Sequence, residues 1–139
     1  KGEGHISIFP WAYSSITAGT WVLSTDASSI MAGYFRNSSV ADLDRVNYLV
    51  YLSAGTYTIC LVPLKNTDRA ILDVLIDGAS VGTYDTYAAS LIYNTIVFIT
   101  GVVVSTSGSK TLSIKANGKN ASSTGYALSV SSISMFRTA

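Results

Sequence analysis

The groups that could do chemistry in this chain are few, and their placement argues against turnover. His5 is the only histidine and Cys60 the only cysteine among 139 residues. Nucleophilic catalysis needs a base held beside the nucleophile, and a lone histidine at the start of the chain, next to Gly4, reads as a structural or solvated residue. A single thiol forms no internal disulfide and supplies no thiolate set for zinc, so Cys60 reads as a small buried hydrophobe. Glycoside hydrolysis needs two carboxylates placed either side of a sugar bond. Asp42/Asp44 and Asp73/Asp77 are close in sequence, but Asp73 is expected to face outward on a strand and Asp77 to sit in a turn. Asp42, Asp44 and Asp68 offer hard oxygens to calcium, yet they belong to no Asp-x-Asp-x-Asp-Gly loop. The expectation is a non-enzymatic chain with no catalytic residue, no cofactor and no metal.

Aromatic rings are the remaining chemical resource. Trp11, Tyr13, Tyr34, Tyr84, Tyr87 and Tyr126 fall at expected strand ends or loops, where rings stack on sugar faces. The alternative is that they cover the rims of the fold or anchor subunit contacts. Asn37-Ser38-Ser39 and Asn120-Ala121-Ser122 spell glycosylation sequons, a pattern that a chain this rich in Ser and Thr produces by chance.

The elements that must position these groups read as strands throughout. His5 to Phe9 alternates and ends at Pro10; Thr20 to Leu23 follows Gly19; Ile30 to Phe35 is weakened by Gly33. Val46 to Leu52 is apolar at both parities. Tyr57, Ile59 and Leu61 oppose Thr56, Thr58 and Cys60, and Leu72, Val74 and Ile76 lead into an Asp77-Gly78 turn. Leu91 to Val104 reads as one long strand, or two bent at Gly101. Leu112, Ile114 and Ala116 point inward. Leu128 and Val130 differ in parity from Ile133 and Met135, which predicts an inserted residue near Ser131-Ser132. No apolar period of 3.6 residues is sustained, so little or no helix is expected. Eight or nine short strands suit an all-β, two-sheet antiparallel β-sandwich with jelly-roll topology, one domain over residues 1–139.

Composition narrows the partners. Nine basic and eight acidic residues give a net charge of +1 and are scattered singly, so nucleic acid is not an expected ligand. Only 12% of residues are charged against 48% hydrophobic, a balance that suits burial against another protein. The longest apolar run, Ile96 to Val104, is broken by Thr100 and Gly101 and falls short of the ~20 residues of a membrane helix. A start at Lys1 with no apolar leader suggests a processed product or a piece of something longer.

Ala54 to Ile59, Val74 to Gly82, Gly108 to Ile114 and Leu128 to Ile133 together resemble the jelly-roll pattern of carbohydrate-binding modules and of the head domains of bacteriophage tail fibres and capsid decoration proteins. The Phe9-Pro10-Trp11-Ala12-Tyr13 opening and Gly19-Thr20-Trp21 resemble the virion branch. The resemblance implies a virion structural module that contacts other virion proteins and a cell-surface glycan; the alternative it implies is a carbohydrate-binding module of a secreted or surface protein. Leftover apolar parity on two strands predicts a homo-oligomer, a trimer, with Leu49, Tyr51, Val97 and Ile99 at its interface.

Overall fold

The computed structural model describes residues 4–139. Among them are eleven strands and no α-helix: β1 (His5–Ile8), β2 (Ser15–Ala18), β3 (Trp21–Thr25), β4 (Gly33–Asn37), β5 (Arg45–Leu52), β6 (Gly55–Pro63), β7 (Ala70–Ile76), β8 (Ala79–Asp85), β9 (Val97–Val104), β10 (Gly108–Lys119) and β11 (Ser129–Arg137). They form two antiparallel sheets. One runs β3-β4-β11-β6-β9, with β1 added to the second half of β11, and the other runs β2-β5-β10-β7-β8. The order interleaves strands distant in sequence, as a jelly roll requires.

Alternation builds the core from both inner faces. Val46, Tyr48 and Leu52 of β5, Leu72 and Val74 of β7, and Leu112, Ile114 and Ala116 of β10 come from one sheet; Phe35, Ile59, Leu61 and Met135 come from the other. Two irregularities keep more apolar residues inside than strict alternation allows. In β11, Val130 faces Pro63 and Ile133 faces Leu61, so one extra residue sits at Ser131-Ser132, where it was expected. In β9, Ile99 faces Ile59 and Val102 faces Tyr57, again with one residue too many. Gly101 supplies the left-handed backbone there, at φ +67°. The Asp77-Gly78 turn closes a two-residue hairpin between β7 and β8, both residues at positive φ.

That second bulge corrects the interface reading. Val97 and Ile99 are 6% and 8% exposed and belong to the core, because the bulge brings them inside together with Val102 and Val104. Leu49 and Tyr51 remain exposed, at 65% and 64%, but on the other sheet. Their ladder neighbours on β10 are Thr111 and Ser109, so hydroxyls border them. The four residues do not share a surface.

Other boundaries moved as well. β2 was not foreseen, since Ser15-Ile16-Thr17-Ala18 carries one large apolar residue. The strand expected from Leu91 begins only at Val97. Cys60 lies on the outward parity of β6 and is half-buried rather than a core residue; burial nevertheless pushes its thiol up, away from the reactive thiolate.

Candidate functional site: a cationic cleft on the β3-β4-β11 sheet

Phe35 turns into the core and stacks on Trp21 at 5.8 Å, so its neighbours Tyr34 and Arg36 project from the opposite face of β4. The ladder sets Ser24 of β3 beside Tyr34, and Ser129 of β11 beside Arg36. The connection from β6 to β7 then wraps over this face. Leu64 N donates to Ser129 O at 3.0 Å, Ala127 N to Asp68 O at 3.0 Å, and Ala70 N to Ala127 O at 2.8 Å. These bonds fix Asp68 and Arg69 as a wall. The result is a cleft of about 290 Å³ lined mainly by polar groups, with Ser24, Tyr34, Arg36, Asp68, Arg69 and Ser129 among them.

Asn37 holds the floor in place. Its Nδ2 donates to Asp44 Oδ2 at 3.0 Å and to Tyr126 O at 2.9 Å, and its Oδ1 accepts from Leu128 N at 2.6 Å. Asp44, itself buried, also accepts from Ser39 Oγ and from Ala41 N. The end of β4 is thereby tied to the segment entering β11.

The electrostatics of the cleft are unbalanced. Arg69 has a side chain only 10% exposed and donates through Nη1 to Asp68 Oδ1 at 2.7 Å. Its Nε and the Oγ of Ser129 are buried without a hydrogen-bond partner. Burial pulls the Arg69 pKa down, the Asp68 charge and Tyr34 push it up, and the nearby Arg36 charge pulls it down again. Arg36 donates Nε to Ser24 Oγ at 2.8 Å and, among the described residues, has no carboxylate partner. Two guanidiniums thus face one carboxylate.

Of the six aromatic candidates only Tyr34 lines the cleft. Trp11 stacks on Phe9 and Tyr13 on Phe35. Tyr84 lies under the Lys65 ammonium and Tyr126 under that of Lys119, and Trp11, Tyr84 and Tyr126 all pack on the core. Tyr87 sits in the connection after β8, its N–H bound to Asp85 Oδ1. They form no common platform. The sequence reading missed Tyr93, whose hydroxyl donates to Asp26 Oδ2 at 2.6 Å and holds that carboxyl below its ordinary range. Asn94 accepts from Ile30 N and donates to Ser28 O, so the loop before β4 is clipped to the loop before β9.

Among the described residues, the aspartates are all hydrogen-bonded. Asp73 faces away from the core as expected but is covered, accepting from Ser80 Oγ and Asn117 Nδ2. Asp42 accepts from Gly118 N, and no group of three metal-ligating side chains occurs among the described residues. Gly78-Ala79-Ser80-Val81-Gly82 spells the nucleophile-elbow motif, which the sequence reading overlooked, but it lies in the β7–β8 hairpin rather than at a strand-to-helix turn. Asn37 is buried, so the first sequon is closed to modification.

No protein-family model matches the chain, and no curated protein does. Solved structures do. A xanthan lyase from Paenibacillus matches with a TM-score of 0.78 and 25% identity over 95% of this chain, which spans 13% of that enzyme. A CBM36 domain of a multidomain xylanase from the hindgut metagenome of Trinervitermes trinervoides matches at 0.75 and 17% identity, over 97% of this chain and 98% of that one. A CBM36 module in complex with calcium and xylotriose matches at 0.66 and 15% identity, over 94% and 98%. The β-sandwich fold is that of carbohydrate-binding modules. The virion role that led the sequence reading gains no support from these likenesses, and its alternative does.

Proposed function

We propose that this chain is a non-catalytic carbohydrate-binding module of a secreted or surface protein and that it holds a saccharide in the cleft on the β3-β4-β11 face. The observation that carries the reading is the coincidence of two facts. Nearly the whole chain, 97% and 94% of it, superposes on modules over 98% of their own length, and it carries a cleft with hydroxyl, guanidinium and phenol groups converging on about 290 Å³. That volume is at the small end of ligand sites, roughly 300–1,000 Å³, and suits one sugar ring with its neighbours left in solvent. Ser24 and Ser129 match sugar hydroxyls, and Tyr34 offers a ring edge or face.

The one histidine–hydroxyl pair among the described residues, His5 Nε2 and Ser7 Oγ at 3.4 Å, lies on β1 outside the cleft, and this together with the hydrogen-bonded state of the aspartates supports binding without turnover. Affinity electrophoresis of the isolated chain through gels containing plant and microbial polysaccharides tests the proposal. Retardation by at least one polysaccharide, reduced in Tyr34→Ala with its folding intact, is the expected result. Unchanged mobility in every gel would remove it.

A further inference from the structure

Resting on that reading, we infer that the cleft selects saccharides bearing a carboxylate, gripped between Arg36 and Arg69. A cleft built for a neutral sugar has no need of two guanidiniums against one carboxylate. Placing the Arg69 side chain 90% out of water demands a counter-charge, and Asp68, which is 49% exposed, meets only Nη1. Buried polar groups are as a rule hydrogen-bonded, so the unpartnered Arg69 Nε and Ser129 Oγ mark places where protein alone leaves the lining unsatisfied. Arg36 stands directly beside Ser129 in the ladder, its Nε held by Ser24 and its terminal nitrogens free of any carboxylate among the described residues.

A sugar carboxylate entering between them would complete the charge balance, two guanidiniums to two carboxylates. The fork of an arginine matches the two oxygens of a carboxylate, and the bond is charge-assisted at both ends. Tyr34, beside Arg36 on the same face, then meets the ring that carries the acid. Asp68 works against the ligand as a like charge. That last point separates this proposal from a general attraction to polysaccharide.

The test is calorimetric titration of the intact chain with three probes: trigalacturonate, its fully methyl-esterified form, and neutral cellotriose. The acid should bind at least about tenfold more tightly than its ester, since charged hydrogen bonds are lost on esterification. The preference should shrink with added salt. Arg36→Gln should abolish the preference, and Asp68→Asn should widen it, tightening the acid by a larger factor than it changes the neutral probe. Arg69→Gln should also abolish it, and Arg36→Gln, in a half-buried side chain on a strand face, carries the test if Arg69→Gln does not fold. Equal binding of all three probes overturns the carboxylate proposal and leaves the module reading intact. Loss of all binding, extended to the gels above, overturns both.

Discussion

Replacing Asn37 with Ala is the sharpest test of how the cleft is held. Asn37 is 1% exposed and makes three bonds through one amide, one to Asp44 and two to the segment entering β11. The substitution leaves the Leu128 N–H and the Tyr126 carbonyl without their present partner and takes one of three donors from the buried Asp44 carboxylate. Each buried backbone group stripped of its bond costs about 1–3 kcal/mol, and the charged bond a similar amount. Relaxation and water entering the vacated space recover part of this, so the expected loss is about 3–5 kcal/mol. A domain of this size is stable by roughly 5–15 kcal/mol, so the variant should unfold at a much lower urea concentration. Fluorescence of Trp21, buried at 6% exposure, reports the transition. Asn37→Asp should destabilise at least as much, because a second carboxylate would face Asp44. In a double-mutant cycle with Asp44→Ala the pair should couple by about 1 kcal/mol or more. A loss below about 1 kcal/mol for Asn37→Ala, with the slope against urea unchanged, would refute the reasoning.

Three further outcomes follow from the same geometry. A Cβ on Gly101 meets nothing within 4 Å, so Gly101→Val should lose stability through its φ of +67° alone, by about 1–2 kcal/mol in urea unfolding, and Gly101→Asn should lose less. Val97→Asp should prevent stable folding, whereas Leu49→Asp should change stability by less than about 0.5 kcal/mol, as thermal melts of the two will show. The Asp26 carboxyl titrates below its ordinary value of 3.8 chiefly because Tyr93 donates to it, so Tyr93→Phe should raise that pKa in an NMR titration. The sign fixes the pH window: the Asp26–Tyr93 clip is fully present from the ordinary carboxyl range up to alkaline pH, weakens as acid protonates Asp26, and is lost at the alkaline end only when the Tyr93 phenol, whose pKa the same bond raises, gives up its proton.

The fold was legible where periodicity and turn chemistry agreed. The parity clash between Val130 and Ile133 announced the β11 bulge, and Asp77-Gly78 announced its hairpin. The same logic stopped short at β9, where the bend at Gly101 was foreseen but its consequence, a change of face that takes Val97 and Ile99 inside, was not drawn. Strand β2 was illegible because its hydrogen bonds come from β5 rather than from its own pattern. The site was harder to see. Its groups come from β3, β4, β11 and the β6–β7 connection, and only long-range register joins Ser24, Arg36, Arg69 and Ser129. Local sequence pointed to rings, but most of the rings are absorbed by the core or by lysines. The alternation Tyr34-Phe35-Arg36 was the one local signal, since an apolar residue between two polar ones on a strand places both on the outer face.

Amide chemical-shift mapping of the labelled chain, titrated with xylotriose, cellotriose and trigalacturonate, tests the central claim most directly. The account predicts that the saccharide that binds perturbs residues 24, 34–37, 68–69 and 127–129 together, and leaves the outer face of β5 and β10 unmoved. Perturbations centred on Leu49, Tyr51 and Thr111, or no perturbation from any of the three at millimolar concentration, would contradict it.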